Sequence, residues 1–592
     1  MKKTISLLIA VLMVAALCIG SAVTVAALKG DVNGDNEVNN KDVVTLFRYV
    51  SSSSKEEDES VYDFNGDTEV NNKDVVALFR AVSEVQTSEG SGTEEETEEI
   101  IDEEFTVTPD PDAELSVPRV IAEHMVLQRD TELKIWGTSN RDGALVRGQF
   151  MGEEALGRVK DGKWEIKFSP KFATFDPQTL VVEDSCGNRL EYTDILVGDV
   201  WLIGGQSNAE ATSKDIPECY SQLQFGGSKP IRILQQGARY VIDNPDLAAE
   251  PSEDIINPDW KWGKATRINV PGFSLLGWFF GDKLAAESGV PIGVVSVAAS
   301  GSAISELMPK ELSDSLGITV GTNRYYNALI HPFLKMKFTG LVFFQGESEG
   351  MSSPSTPPGD YAKNFKALMT ELRSRWGFDF PIYNIQLTDY TEQSTMAVLD
   401  GKPNGGYAPN VGIIRAQQYD AYKDMEGVTL IASYDLGADE GYNVFGGFLH
   451  APYKKELGER VADRVLADIY GAGDVEPLLF PEPVEIKIVS IENGEKTINV
   501  KFKNVGEGLI ATDGGDTVTG FASSRAGTPT PASLKEVTGK IISPDTVQLT
   551  VSGTAKSVNI GYACMANIKK TSVKLVNSYG MPALAFYLPA TD

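Results

Sequence analysis

A serine that directly follows an apolar strand is the first residue of this sequence able to do covalent chemistry. The apolar run from Ile195 to Ile203 leads into the segment GGQSNAE, which places Ser207 on a tight turn at the start of a predicted helix. Backbone N–H groups and the helix dipole at such a turn can stabilise an oxyanion. The Gly-x-Ser-x-Gly elbow of α/β-hydrolases is absent, because Ala209 stands at its second glycine position. Taken alone, the turn is therefore weak evidence for a nucleophile, and an ordinary turn is the alternative.

A serine nucleophile needs a base, and the chain has only 3 histidines. His124 lies among short predicted strands, which favours a surface or interface position. His331 stands in an apolar stretch before Pro332, which favours a structural hydrogen bond. His450 lies in a loop directly before an amphipathic helix, so it is the remaining candidate for the base.

Apolar strands that alternate with helices must position these residues. After the serine the alternation continues with PIGVVSVAA, FTGLVFF, FPIYNIQL and GVTLIASYDLG. This alternation predicts a parallel sheet, whose ligands gather beyond the carboxyl ends of its strands. Gly301 and Gln345 follow two of the strands, so they are expected on the same rim as Ser207 and His450.

The order and spacing of these segments resemble the sialate O-acetylesterase-like and family 6 carbohydrate esterase group of the SGNH hydrolases. The resemblance covers roughly residues 117–589 and rests on GDVWLIGGQSN, SGSAISEL, YYNALIHPFLK, FFQGESE, RAQQ, DLG and FGGFLHAPYKK. It implies a three-layer α/β/α fold, an acyl-serine mechanism, acetylated carbohydrate as substrate and no metal in the active site. It also implies Ser207 as nucleophile and His450 as base. The N–H groups of Ser207 and Gly301 are expected to form the oxyanion hole, with the Gln345 amide as a third donor.

Two positions depart from the pattern of this family. Many relatives carry an Asp two or three residues before the catalytic histidine, where this chain has Gly447 and Phe448. Either the site works as a Ser–His dyad or another carboxylate orients the ring. The first candidate is Glu347, whose alternative is a structural carboxylate that bonds loop amides, and Asp435 is a weaker one. Glu349 replaces the Asn or Asp that relatives often carry, which is expected to alter substrate contacts.

An acidic repeat precedes the predicted core. Its two copies read GDVNGDNEVNNKDVVTLFRYV and YDFNGDTEVNNKDVVALFRAV, each an oxygen-rich loop followed by an apolar-periodic helix. Hard oxygen ligands at this spacing suit calcium, with the two glutamates offering backbone carbonyls. The predicted ligands are Asp31, Asn33, Asp35, Glu37, Asn39 and Asp42 in the first copy and Asp63, Asn65, Asp67, Glu69, Asn71 and Asp74 in the second.

The repeat pair resembles a type I dockerin, the calcium-folded module that binds a cohesin domain of a cellulosome scaffoldin. The resemblance implies that the residues before the last ligand of each loop help to select the cohesin: Asn40 and Lys41, and Asn72 and Lys73. Family members usually have Ser or Thr there, which leaves the identity of the cohesin open.

Charge, the first residues and the cysteines set further expectations. The formal net charge of −30 argues against nucleic acid as a partner, because phosphate binding needs clustered Lys and Arg. Lys2 and Lys3 before an apolar run predict an export signal, and therefore a secreted, extracellular protein with no membrane attachment once the signal is removed. Cys186, Cys219 and Cys564 would then remain, too few for a disulfide framework, so buried thiols are favoured over a single bridge.

These patterns together predict an α/β protein. Its three-layer α/β/α SGNH-hydrolase core is flanked by β-sandwich-like domains and preceded by a small all-α calcium-binding dockerin. The predicted segments are a signal peptide (1–27), the dockerin (28–86), an acidic linker (87–114), a β domain (115–194), the esterase domain (195–475) and a C-terminal β domain (476–592).

The dockerin favours plant cell-wall polysaccharide, above all acetylxylan, as substrate, since cellulosomes assemble plant-wall enzymes. O-Acetyl sialic acid and pectin are alternatives that keep the same chemistry. A non-catalytic carbohydrate-binding component of a cellulosome is the alternative from another functional class.

Overall fold

The computed structural model describes residues 104–591, apart from 224–229, 320–322, 352–358, 390–397, 400–401, 404–408, 438–449, 556 and 566–573, together with residues 32, 46, 70 and 78. The predicted signal peptide, the calcium ligands and cohesin contacts predicted between Asp31 and Asp74, and the positions Gly447 and Phe448 lie outside the described residues. Leu46 and Leu78, which occupy equivalent positions of the two repeats, are both helical and fully buried.

Short strands form the region before the nucleophile. They are β1 (Leu115–Ser116), β2 (Val126–Gln128), β3 (Leu133–Ser139), β4 (Leu145–Phe150), β5 (Glu153–Arg158), β6 (Lys163–Phe168), β7 (Thr174–Asp184) and β8 (Arg189–Gly205). The sheet β1–β3–β6 is antiparallel, and β4 pairs with both β5 and β7. The rings of Phe150 on β4 and Phe168 on β6 lie 6.0 Å apart, so the two sheets pack face to face.

Strand β8 joins this region to the next. Its side chains alternate between exposed and half-buried up to Asp194, and every residue from Ile195 onward is buried. The first half pairs with β7 and keeps one face towards solvent, whereas the second half lies inside a parallel sheet covered on both faces. The predicted domain boundary at residues 194 and 195 therefore falls within a single continuous strand.

A mostly parallel sheet forms the centre of the molecule. It adds β9 (Ile231–Gln235), β10 (Gly263–Lys264), β11 (Ile292–Ser296), β12 (Gly340–Phe344), β13 (Ile382–Ile385) and β16 (Val428–Ile431), in the order β10-β9-β11-β8-β12-β13-β16. Of these strands β10 is antiparallel to its neighbour, and the others run parallel. A separate ribbon pairs β14 (Val398–Leu399) with β15 (Lys402–Pro403).

Helices cover both faces of this sheet. They are α1 (Ser207–Glu210), α2 (Ala238–Asp243), α3 (Leu275–Glu287), α4 (Lys310–Ser315), α5 (Glu347–Gly350), α6 (Tyr361–Trp376), α7 (Val411–Tyr422) and α8 (Lys454–Tyr470). On one face Phe280 of α3 packs edge-on against Trp201 of β8, with ring centroids 5.2 Å apart. On the other face Phe365 of α6 packs against Phe343 of β12 at 5.7 Å. The predicted three-layer α/β/α arrangement is confirmed.

An antiparallel sheet follows the core. It contains β17 (Glu482–Glu492), β18 (Glu495–Lys503), β20 (Thr517–Ser524), β21 (Lys535–Ser543), β22 (Thr546–Ser552), β23 (Asn559–Tyr562) and β25 (Phe586–Pro589), in the order β17-β18-β22-β21-β20-β23-β25. The strands β19 (Ile510–Ala511) and β24 (Leu575–Val576) form a small second sheet.

The three cysteines among the described residues do not form disulfides. Cys186, Cys219 and Cys564 are free thiols, with Cys219 and Cys564 buried as predicted and Cys186 half-buried. Burial raises the pKa of Cys219 to about 11 and that of Cys564 to about 12, so these two thiols are poor nucleophiles at neutral pH. Among the described residues, no helix combines the length and apolar character needed to cross a membrane.

One arginine fastens the C-terminal sheet to the core. Arg415 of α7 is fully buried and donates to the carbonyl oxygens of Thr388, Ala563 and Met565 at 2.8, 2.9 and 2.5 Å. Two of these carbonyls belong to the segment that follows β23. Buried carbonyl groups need hydrogen-bond donors. The Arg415 guanidinium supplies them where the C-terminal sheet meets the central α/β core.

We predict that Arg415→Met destabilises the protein by about 3 kcal/mol, because the carbonyl oxygens at this junction lose their donor while staying buried. Urea unfolding followed by tryptophan fluorescence measures the change. The matched control is Arg239→Met, since the Arg239 side chain is 83% exposed in an ion pair along α2 and should change stability by less than about 0.5 kcal/mol. Equal effects of the two substitutions would contradict the assigned role.

Candidate active site

Ser207 lies at the carboxyl end of the central strand β8. The strand approaches β12 so closely that a side chain on Gly205, whose φ is 127°, would place its Cβ 2.0 Å from the carbonyl oxygen of Phe344. Only glycine allows this approach. Gln206 then donates from its backbone N–H to the same Phe344 oxygen at 3.0 Å, and Ser207 starts α1 with 8% of its surface exposed.

The side chain of Gln206 ties the serine turn to the loop after β12. Its Oε1 accepts from the backbone N–H groups of Gly346 and Ser348, at 3.3 and 3.2 Å. Gln206 is 1% exposed, so these bonds form inside the protein. The nucleophile turn and the start of α5 are therefore held in a fixed relation.

A second loop, residues 299–304, lies beside the serine turn and carries Gly301. Ala299 donates from its N–H to the carbonyl oxygen of Gly205 at 2.9 Å, and Ser348 donates from its hydroxyl to the carbonyl oxygen of Gly301 at 3.2 Å. Gly301 has a φ of 76° and is exposed. In the part of the chain that the structure describes, no hydrogen bond uses the Gly301 N–H or the Ser207 hydroxyl.

Two half-buried carboxylates hold this Gly301 loop. Glu210 of α1 accepts from Ser300 N–H at 2.5 Å and from Ala238 N–H at 3.0 Å. Glu349 of α5 accepts from Ile304 N–H at 2.6 Å. Burial raises the pKa of both carboxyl groups, and the backbone donors offset part of this cost. The altered residue Glu349 thus supports the loop by bonding a backbone amide.

Gln345 also serves this loop. Its side-chain Nε2 donates to Glu349 Oε2 at 2.7 Å and to Ser302 O at 3.2 Å, and it lies 3.3 Å from Gln206 Oε1. An amide group has two N–H bonds. Both have acceptors within the protein, so Gln345 supports the Gly301 loop, and its expected role as a third oxyanion donor stays a prediction.

The segment that carries His450 lies against the serine turn. His450 is half-buried, and α8 begins four residues later at Lys454. Lys454 donates from Nζ to Asn208 Oδ1 at 2.5 Å. Cys219 donates from its thiol to the carbonyl oxygen of Pro452 at 3.0 Å. The bond from Lys454 therefore joins the segment that carries His450, the predicted base, to Asn208, which directly follows Ser207, the predicted nucleophile.

The two carboxylates considered for orienting the histidine differ in their surroundings. Glu347 is fully buried, and its Oε1 accepts from Asn208 Nδ2 at 2.5 Å. Burial raises the pKa of Glu347 to about 7. Asp435 is bound by the guanidinium group of Arg460 at 2.9 and 2.7 Å. Glu347 is therefore the carboxylate within the site, and its role towards His450 stays a prediction.

The other two histidines make structural contacts. His124 donates from Nδ1 to Asp194 at 2.7 Å, and His331 donates from Nδ1 to the carbonyl oxygen of Ser252 at 2.7 Å. The predicted structural hydrogen bond of His331 is thus present. Within the described ranges, no three His, Cys, Asp or Glu side chains come together as a set that could hold a metal ion.

Sequence reasoning missed three side chains that support the site: Asn208, Glu210 and Lys454. The position of Lys454 gives one usable signal, because it falls three and seven residues before Leu457 and Val461 on the buried stripe of α8. A lysine on an apolar stripe indicates a buried partner. Nothing in the sequence near Glu210 indicates that its carboxylate reaches Ser300.

Two family models match separate parts of this chain. Residues 197–442 match the family described as carbohydrate esterase, sialic acid-specific acetylesterase, and residues 29–83 match the dockerin type I domain.

Curated proteins and solved structures give further likenesses. A sialate O-acetylesterase of Homo sapiens is 27% identical over an alignment of 254 residues, and the match covers 38% of this chain and 47% of that protein. The sialate O-acetylesterase of Mus musculus is 23% identical over an alignment of 334 residues, and the match covers 46% of this chain and 59% of that protein. The chain thus spans about half the length of the curated relatives it matches. The crystal structure of a carbohydrate acetylesterase from Xanthomonas citri shares the fold, with a TM-score of 0.63 and 24% identity over 80% of this chain and 99% of that one.

The strand order, the three loops around Ser207 and these matches lead to one assignment. Residues 29–83 are similar to the type I dockerin domain, and residues 197–442, in the central α/β core, are similar to the sialic acid-specific acetylesterase family of carbohydrate esterases.

Proposed function

We propose that this chain is a carbohydrate O-acetylesterase that works through an acyl-enzyme on Ser207. The observation that carries the proposal is the position of Ser207 at the carboxyl end of β8, next to a loop whose Gly301 N–H points to no partner in the described structure. A small nucleophile beside fastened backbone donors is the arrangement that acyl transfer requires.

The reaction begins when His450 takes the proton of the Ser207 hydroxyl as its oxygen attacks the acetyl carbonyl carbon. The carbonyl electron pair moves onto oxygen, and the N–H groups of Ser207 and Gly301 stabilise the resulting oxyanion. Collapse of this intermediate breaks the bond to the sugar oxygen, which receives the proton from His450. A water molecule, deprotonated by His450, then attacks the acetyl-enzyme, and the second intermediate collapses to acetate as His450 returns the proton to the Ser207 oxygen. Gln345 supports the loop that carries Gly301, since both of its N–H bonds have protein acceptors.

The favoured substrate is an acetylated plant cell-wall polysaccharide, with acetylxylan first. The dockerin match at residues 29–83 supports this choice, because dockerins attach enzymes to cohesins of extracellular cellulosomes. The predicted export signal fits the same location. O-Acetyl sialic acid is the second candidate substrate, supported by the description of the family that matches residues 197–442 and by the names of the relatives.

We predict that Ser207→Ala lowers kcat for acetate release by about four to six orders of magnitude, because the attacking oxygen is lost. Acetate release is measured on acetylxylan, O-acetyl sialic acid and an aryl acetate, with Ser315→Ala, at an exposed serine of α4, as the control. Ser207-dependent release from xylan supports the plant-wall substrate. Release from the sialic acid ester alone moves the substrate to the second candidate. If folded wild-type protein cleaves none of the three esters, the esterase proposal is contradicted. The alternative that remains is a non-catalytic carbohydrate-binding component.

We predict that Glu210→Gln lowers kcat by about tenfold to hundredfold. Glutamine has one acceptor oxygen where glutamate has two, so either the Ser300 N–H or the Ala238 N–H loses its acceptor and the Gly301 loop shifts. KM should change less than about twofold, because the oxyanion forms only after binding. Steady-state kinetics with a soluble aryl acetate tests this. The control is Glu311→Gln, whose side chain is 77% exposed. A rise in KM with unchanged kcat would contradict a role in oxyanion stabilisation.

Calcium is the structural cofactor that we propose for the dockerin. The donor set of aspartate and asparagine oxygens fits this hard cation, and the spacing of the ligands repeats in both loops. The calcium-bound form would present Asn40, Lys41, Asn72 and Lys73 to a cohesin.

We predict that the full chain, once stripped with a chelator, binds two calcium ions, and that Asp63→Ala binds one, because the first ligand of the second loop is removed. Calorimetric titration with calcium chloride measures the stoichiometry. Esterase activity serves as the internal control and should be the same with and without calcium. An unchanged stoichiometry in Asp63→Ala would contradict the ligand assignment.

A further inference from the structure

A buried lysine stands at an unfavourable position in α8. Lys454 is 1% exposed and is the first residue of this 17-residue helix. The amino terminus of a helix carries partial positive charge, which disfavours a cation there. Burial adds a second cost, because the ammonium group leaves water. Neither helix formation nor apolar packing explains a lysine at this position. The side chains that contact it must therefore stabilise its charge.

The partners of Lys454 form a chain of three side chains. Its Nζ donates to Asn208 Oδ1 at 2.5 Å, and Asn208 Nδ2 donates to Glu347 Oε1 at 2.5 Å. Nζ also lies 5.4 Å from the ring centroid of Phe344, within the range of a cation–π contact. The three residues come from three separate elements: the turn after β8, the start of α5 and the start of α8.

Opposite charges at its two ends fix the amide of Asn208. Lys454 requires an acceptor at one end of this amide, and Glu347 requires a donor at the other. A flipped amide would set its NH2 group against the ammonium and its oxygen against the carboxylate. The side chain of Asn208 therefore has a single orientation.

Burial and mutual attraction shape the titration of the two ends. Burial lowers the pKa of Lys454 to about 8, while the Glu347 charge opposes that change. Burial raises the pKa of Glu347 to about 7, while Asn208 and Lys454 oppose it. Glu349 and Cys219 are the other titratable groups that act on this pair. Each charge is tolerated because the other is present, so losing one leaves a buried charge uncompensated.

The chain of side chains links the two residues of the proposed reaction. Asn208 directly follows Ser207 in α1, and Lys454 follows His450 by four residues. Reacting groups must be held within fractions of an ångström, and a misplacement of about 1 Å can cost a factor of about 100 in rate.

We propose that Lys454 is a positioning residue that joins the segment carrying His450 to the turn carrying Ser207, through the Asn208 amide held at its other end by Glu347. This inference rests on the proposed esterase function, and it assigns Glu347 a partner other than the histidine ring.

The test compares kcat, KM and melting temperature of Lys454→Met with those of wild type, using an aryl acetate. We expect kcat to fall by about 100-fold with KM within about twofold, since binding groups stay in place while Ser207 and His450 lose their alignment. The matched control is Lys283→Met on α3, where the lysine pairs with Asp463 and Glu287 near the surface. This control should keep the wild-type kcat.

The double variant Lys454→Met with Glu347→Gln separates alignment from stability. Removing both charges should restore much of the melting temperature lost in Lys454→Met, because no uncompensated charge stays buried. The kcat should stay low, because Asn208 still lacks the donor from α8. A Lys454→Met kcat within threefold of wild type, or a kcat that recovers together with the melting temperature, would overturn the inference.

A separate readout distinguishes failure of this inference from failure of the esterase proposal. Wild-type protein that hydrolyses no ester contradicts the proposed function. The rate at which a fluorophosphonate labels Ser207, followed by mass spectrometry, then tests the alignment by itself. Lys454→Met is expected to label more slowly than wild type, and equal labelling rates would overturn the inference.

Discussion

The parallel pairing of β8 with β11 and β12 is the constraint on which the rest of the site depends. Because β8 has a partner on each side, the loops after all three strands emerge together at one edge of the sheet. The turn after β8 carries Ser207, the loop after β11 carries Gly301, and α5 follows β12. The close approach of Gly205 to the Phe344 carbonyl makes the serine turn part of the same framework.

Loops at a sheet edge would be mobile without further bonds, and buried and half-buried polar side chains supply those bonds here. Gln206 bonds the amides that follow β12, while Glu210 and Glu349 bond amides at the two ends of the Gly301 loop. These side chains lose hydration when they are buried, and the backbone donors compensate for it. Within the described part of the chain, the Ser207 hydroxyl and the Gly301 N–H keep open hydrogen-bonding capacity. This division between bonded supporting groups and available reacting groups is what a preorganised site requires.

The core also depends on its β-rich neighbours. Strand β8 begins in the leading β region and ends at the serine turn, so folding of the two regions is physically continuous. Arg415 of α7 also supplies donors to carbonyl groups of the segment that follows β23 of the C-terminal sheet. The central α/β core is therefore one part of a larger packed unit that spans residues 101–592.

The sequence by itself determined the features that depend on local pattern. Apolar strands alternating with helices predicted the three-layer core, and the strand-to-turn junction at Ser207 predicted the edge of the sheet where the site lies. The scarcity of histidine reduced the candidates for the base to His450, since the ring of His331 bonds a carbonyl group as expected.

Only the tertiary structure decided the long-range contacts. The bond from Lys454 to Asn208 spans 246 positions, and that from Asn208 to Glu347 spans 139. The tertiary structure also shows that both N–H bonds of Gln345 have acceptors within the protein, whereas the sequence suggested that this amide is an oxyanion donor. Strand order and loop packing decide which polar groups contact each other. The short-range periodicity of the sequence does not predict these contacts. Local chemistry therefore indicated the candidate reacting residues, and the packing of distant segments determined which side chains lie around them.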